Sequence, residues 1–148
     1  KMENNLFNSS FEMELRVVSL LTETSKEYIS VERILAIDFL ACYGKVFGIS
    51  EYNLHGDNSL MYAEISNRRN LINEAIKPLV YKGLVDVKVD KGYYYRITDT
   101  GKKYVDSLES DYAREYKQCV NKAVCVASDK PDRILLGEIN RSSLRNER

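Results

Sequence analysis

The chain has 148 residues, 44% of them hydrophobic, with 22 basic and 22 acidic side chains balancing to a formal charge of zero. That length holds one domain with a real core plus an appendage. No apolar run approaches the roughly 18 residues of a membrane span and no signal-peptide pattern opens the chain, so a cytoplasmic protein is expected.

Charge is unevenly spread. Residues 1–66 carry five basic and ten acidic groups, and residues 67–103 carry nine basic and four acidic. A basic second half and an acidic front suit either a nucleic-acid face or a head-to-tail protein assembly. In chain order, Ser9-Ser10-Phe11-Glu12 has capping-box spacing and starts a helix at Ser9 or Ser10. Phe11, Leu15 and Val18 are expected as its core stripe, joined by Leu20 and Leu21. Ser30 caps a second helix running from Val31 to about Tyr43, apolar on nearly every face and therefore central. Asp38 stands inside that apolar run and needs an arginine partner or a backbone to cap, since an unpaired buried charge is costly. The polar connection Gly44–Asn58 contains His55, the only histidine, read as a surface loop residue. Ser59–Ser66 reads as a short helical turn.

Asn67–Lys82 is the main helix, with ladders Leu71/Ala75/Leu79 and Ile72/Ile76/Val80 on one face and Arg69, Asn70, Asn73 and Lys77 on the other. Pro78 should kink or loosen its last turn, and Gly83 fits the left-handed position that ends helices. Strands Leu84–Val89 and Tyr93–Ile97 flank the turn Asp90-Lys91-Gly92. A helix followed by two short strands is the back half of a winged helix-turn-helix, so the fold class expected is α+β, mainly helical, with an extra C-terminal helix. Thr98–Gly101 forms a cap region, Lys102–Leu108 a short helix, and Ser110 caps a helix with Tyr112, Tyr116, Cys119, Val120, Ala123 and Val124 on one stripe. Pro131 ends helical order. The domain is thus drawn over residues 6–127, with 128–148, bearing Ile134, Leu135, Leu136 and Ile139, as a docking or disordered tail.

Little here points to catalysis. One histidine and three scattered cysteines (Cys42, Cys119, Cys125) do not make an ordinary zinc site, whose ligands come in close pairs. The cysteines read as buried free thiols in a reducing compartment. There is no phosphate-cradling glycine loop and no nucleophile elbow. No cofactor, metal or small-molecule substrate is expected. The basic residues Arg68, Arg69, Lys77, Lys88 and Lys91, with Asn73, have two readings. They contact DNA phosphates and grooves, or they form a solvated face with an arginine pair bridging to acidic residues of the front half. Tyr93-Tyr94-Tyr95 needs no more than a strand role.

Leu6-Phe7-Asn8-Ser9-Ser10-Phe11-Glu12, followed by Leu15-Arg16, resembles the opening signature of middle components of ABC three-component systems. Ile37-Asp38-Phe39-Leu40, Leu54-His55, Arg68-Arg69 with Leu71-Ile72, Lys82-Gly83-Leu84-Val85 and Ser107 to Ala113 resemble later blocks of the family in the same order, over roughly residues 6–127. Ser10 stands where proline is usual, Tyr43 where a histidine often follows, and the tryptophan usual near Cys125 is missing. The resemblance implies a non-catalytic adaptor between an ATPase of the structural-maintenance-of-chromosomes (SMC) or recombination-repair type and an effector that is often a nuclease. Lamassu anti-phage and anti-plasmid systems are the most similar instance. Arg16, Asp38, Arg68 and Arg69 fall in the shared motifs, and an Arg16–Asp38 pair joining the first two helices would give two of them a structural reason.

Two functions compete. An assembly subunit would cover Tyr112, Tyr116, Val120, Val124, Ile134 and Leu135 with a partner chain and touch DNA weakly at most. A free-standing winged-helix transcription regulator would be a symmetric dimer on a palindromic site.

Overall fold

Four helices begin where a serine or threonine side chain can accept a backbone N–H of the first turn. The computed structural model describes residues 9–56 and 61–146. In it Ser9 accepts from Glu12 N–H at 3.2 Å to open α1 (Ser10–Glu23), and Ser30 accepts from Arg33 N–H at 3.1 Å to open α2 (Val31–Cys42). A 3₁₀ turn (Met61–Glu64) leads straight into α3 (Ile65–Tyr81), two residues ahead of the expected start. The hairpin β1 (Val85–Val89) and β2 (Tyr93–Ile97) follows, then α4 (Asp99–Asp106), capped by Thr98, and α5 (Asp111–Ala127), capped by Ser110. The opening motif Leu6-Phe7-Asn8, and Asn58, Ser59 and Leu60 before the 3₁₀ turn, lie outside the described residues.

The central helix is α2. Every side chain from Ile34 to Cys42 is buried, and α1, α3, α5 and a sixth helix, α6 (Asp132–Asn146), all pack on it. That last helix departs from expectation. Pro131 is expected to end helical order, but α5 already stops at Ala127, the segment after Pro131 is helical again, and Leu135 and Ile139 are buried in the same core. The junction is tied by Arg33, whose guanidinium donates to the Lys130 carbonyl at 2.7 Å and to Asp132 at 3.0 Å, and by Ser30, which also reaches Asp132.

The core face of α1 is Met13, Arg16, Val17, Val18, Leu20 and Leu21. Of the expected stripe, Val18, Leu20 and Leu21 are buried, Leu15 is half-buried and Phe11 is 68% exposed. Periodicity counted over apolar residues alone puts Phe11 inside, whereas the first turns bury Met13 and an arginine, Arg16, instead. In α3, Gly83 (φ 78°) closes the helix with Gly83 N–H to Val80 O and Leu84 N–H to Leu79 O, both 3.0 Å, a Schellman ending that needs the left-handed residue. Pro78 sits in the last full turn, and the helix still runs to Tyr81.

The strands pair antiparallel, Val85 opposite Ile97, Val87 opposite Tyr95 and Val89 opposite Tyr93. The turn is made by Lys91 (φ 58°) and Gly92. Between α1 and α2, Ile29 adds a single bridge to the outer edge of β2, exchanging both hydrogen bonds with Tyr95 at 2.9 and 2.8 Å. The fold is mainly helical, six helices and a two-stranded sheet among the described residues. None of those helices is long and apolar enough to cross a membrane.

Candidate functional site

At the centre of the molecule sits a buried carboxylate. Asp38 is placed by α2, 2% exposed, between two arginines each 1% exposed. Arg16 of α1 donates to both of its oxygens, Nε to Oδ1 at 3.1 Å and Nη2 to Oδ2 at 2.7 Å. Arg68 of α3 donates from Nη1 to Oδ2 at 2.7 Å, and the Tyr116 hydroxyl of α5 donates to Oδ1 at 2.6 Å. One carboxylate thus receives donors from three helices. Burial alone would raise the Asp38 carboxyl, but the two guanidiniums and the hydrogen bonds from Arg16 and Tyr116 outweigh it and hold the group well below the ordinary carboxylate range. Against the same burial, the Asp38 charge raises both arginines, so the ionic form is the folded one.

Around this ion triad lies a second ring of polar groups. Glu12 accepts from Arg16 Nη1 at 2.7 Å, an i,i+4 pair on α1. The Arg68 guanidinium lies over the rings of Tyr43 and Phe39, 5.5 and 5.6 Å from their centroids. His55 is turned inward, its Nε2 2.7 Å from the Tyr112 hydroxyl and 3.7 Å from Cys42 Sγ. Burial, then Arg16 and Arg68, lower the His55 imidazole to about 3, so it is neutral at pH 7. Burial and the Asp38 charge push the Cys42 thiol up to about 12. A cysteine and a histidine in contact suggest a nucleophile and its base, yet these two titrate away from the thiolate–imidazolium form. What the arrangement does is clamp α1, α2, α3 and α5 together. Among the described residues no group of three or more metal-ligating side chains converges.

Arg68 therefore does not face a duplex. It lies on the same α3 stripe as Ile72, Ala75 and Leu79, and its partner is 30 residues away in sequence. Of the two readings of the basic pair, the one that bridges it to acidic residues of the front half holds for Arg68. Arg69, one residue on, does reach the surface and bridges to Glu32 at 2.8 and 3.0 Å. Of the remaining polar face, Asn73, Lys77, Lys88 and Lys91 are exposed. Lys77 pairs with Glu74 at 3.1 Å. Lys88 and Arg96 lie over the Tyr28 ring, whose hydroxyl donates to Asp86 at 2.7 Å.

The expected partner stripe is also largely spent inside the chain. Tyr116, Val120 and Leu135 are buried in the common core, Tyr112 and Val124 are half-buried, and Ile134 is 38% exposed. One amphipathic stripe on α5 packs on α2 and α1 of its own chain, a use that periodicity alone does not distinguish from a partner's. Sequence reasoning missed the inward His55 and the roles of Glu12, Tyr112 and Tyr116; only the Glu12/Arg16 spacing of four carried a readable signal.

A family model described as ABC-three component (ABC-3C) system Middle Component 2 matches residues 6–147. The match extends the sequence resemblance, drawn over roughly 6–127, through α6. No curated protein and no solved structure matches the chain.

Proposed function

The chain belongs to the Middle Component 2 family of ABC-three component systems, and from that premise we propose that it is the non-catalytic adaptor of a bacterial defence complex in the cytoplasm. It links an SMC-like or recombination-repair-type ATPase to an effector, often a nuclease, in an arrangement of the Lamassu kind. In this reading α1 to β2 form a winged helix-turn-helix. The order helix, bridging residue Ile29, helix, helix and hairpin supports that reading, with Ile29 standing where a short first strand pairs with the wing.

The observation that carries the adaptor over a transcription regulator is the state of the basic side chains on α3 and the wing. Arg68 is buried, Arg69 is bridged to Glu32, Lys77 to Glu74, and Lys88 and Arg96 are stacked on Tyr28. Arg68 and Arg69 are thus spent inside the chain. The cations left exposed there, Lys77, Lys82, Lys88 and Lys91, are few beside the phosphate contacts of a tight binder, whose nonspecific affinity comes mostly from phosphate neutralisation. DNA contact by Asn73, Lys77 and Lys91 is accordingly weak and salt-sensitive.

Co-expression with the products of the neighbouring genes tests this. The adaptor reading expects a stable complex with a large ATPase and unselective duplex binding. Sequence-selective binding at about 10⁻⁸ M or tighter, with no ATPase association, would establish the regulator instead.

A further inference from the structure

The outer edge of β1 is self-complementary, and we propose that a second copy of this chain adds its own β1 there, antiparallel and centred on Val87. The backbone directions follow from the bridge on the far side of the hairpin. Tyr95 spends its N–H and C=O on Ile29, away from β1, so Val87 and Tyr95 are a non-hydrogen-bonded pair of the hairpin. Alternation then points the N–H and C=O of Val85, Val87 and Val89 outward, away from β2. Among the described residues no backbone hydrogen bond outside the hairpin engages them.

A strand offered this way invites another strand, and natural edges are often blunted by charged side chains, especially lysines, unless the charges of the incoming strand answer them. β1 carries charges of both signs, Asp86 and Lys88, on the face opposite its valines, where both also touch Tyr28 yet remain exposed to a second strand. In an antiparallel pairing centred on Val87, Val87 faces its own symmetry mate and Val85 faces Val89. Each Asp86 then faces a Lys88, twice over by the two-fold axis. The outward-pointing residues of one copy meet those of the other, so the parity closes as well as the charge.

At the tip Lys88 and Lys91 are offset by Asp86 and Asp90, which leaves a nucleic acid little to gain along this edge. A partner subunit's strand could use the same backbone groups, but nothing in its sequence need alternate as the second copy's does. This pairing is independent of the adaptor reading: it concerns the chain alone and survives failure of the ATPase complex.

Sedimentation of the purified chain over a concentration series measures it, with circular dichroism as the check on folding. An edge this short makes an interface well under the ~1,200 Å² of stable complexes, so dimer is expected only toward the top of the series. Asp86→Lys alone, or Lys88→Asp alone, turns two opposite-charge pairs into like-charge pairs and should weaken the dimer about tenfold or more. The doubly exchanged Asp86→Lys/Lys88→Asp chain should dimerise again. Mixing the two single variants should give a heterodimer that neither forms with itself. A monomer throughout, or a dimer indifferent to these exchanges, would overturn the proposal, as would single variants that weaken the dimer without rescue in the double chain or the mixture.

Discussion

Arg16 and Asp38 stand 22 residues apart in sequence and meet side by side, the guanidinium Nε and Nη2 on the two carboxylate oxygens at 3.1 and 2.7 Å. The pair joins α1 to α2 in a place where neither ion can be hydrated. Its worth lies in being complete: breaking a buried pair by removing one partner costs far more than the pair contributes over an apolar substitute.

Asp38→Ala should therefore destabilise the fold by about 3–5 kcal/mol, because Arg16 and Arg68 are both left buried without their shared counter-ion. Urea unfolding of the variant against the parent chain measures it. An unchanged midpoint would mean the triad does not hold the helices together.

Arg68 and Arg69 are neighbours in sequence with opposite consequences. Arg68→Ala uncovers one side of Asp38 and should cost on the order of 3 kcal/mol. Arg69→Ala breaks a pair whose side chains are 35% and 41% exposed and should cost about 1 kcal/mol or less. Equal melting temperatures for the two variants would contradict this placement.

Stability should fall with pH in two separate windows. The folded His55 imidazole is lowered to about 3, against about 6.5 for an unfolded histidine. Below the unfolded value only the unfolded chain takes up that proton, so the His55 contribution is full above about pH 6.5 and is lost progressively toward pH 3. Between pH 7 and 5 the loss is on the order of 1–2 kcal/mol, and His55→Gln should flatten that slope. Asp38, whose folded carboxyl is also depressed, contributes fully above about pH 4 and loses its share only below it. Glu12 works in the opposite direction near its own titration, since burial raises its carboxyl. Denaturant midpoints at pH 7, 5 and 3.5 for the parent and His55→Gln chains separate these windows.

Gly101 in the first turn of α4 touches the back of the hairpin. A Cβ there would fall onto the Leu84 carbonyl oxygen and lie 2.6 Å from Ile97 Cδ1. The Leu84 carbonyl is held by Thr98 N–H at 3.1 Å and has little freedom to yield. Gly101→Ala should cost about 2 kcal/mol or more by overpacking, whereas an alanine at Gly137, whose nearest neighbour is the far end of Arg141 at 3.7 Å, fits without displacement. Thermal melts of the two variants give the comparison.

Much of the secondary structure was legible from neighbours along the chain. Ser9, Ser30 and Ser110 announced three helix starts, the stretch from Ile34 to Ala41 announced a central helix, and Gly83 and Asp90-Lys91-Gly92 announced where α3 stops and the hairpin turns. These signals are local, since capping, left-handed backbone and apolar periodicity depend on residues a few positions away. The order of short motifs through the first 127 residues was also enough to indicate the family that the match over 6–147 shows.

Tertiary structure alone decided which side of each element is inside when a charged or amphipathic residue stands on the boundary. Arg16 took the place of Phe11 on the core face of α1, Arg68 resolved to the buried one of its two readings, and His55 turned inward to Tyr112. Tyr116 became a ligand of a carboxylate 78 residues earlier rather than a partner's contact, and the segment after Pro131 became α6 against α2. The common reason is that a buried charge or hydroxyl is tolerated only where its partners arrive, and those partners come from other helices. Sequence spacing shows that Asp38 must be answered; only the packing of α1, α3 and α5 on α2 shows by which side chains.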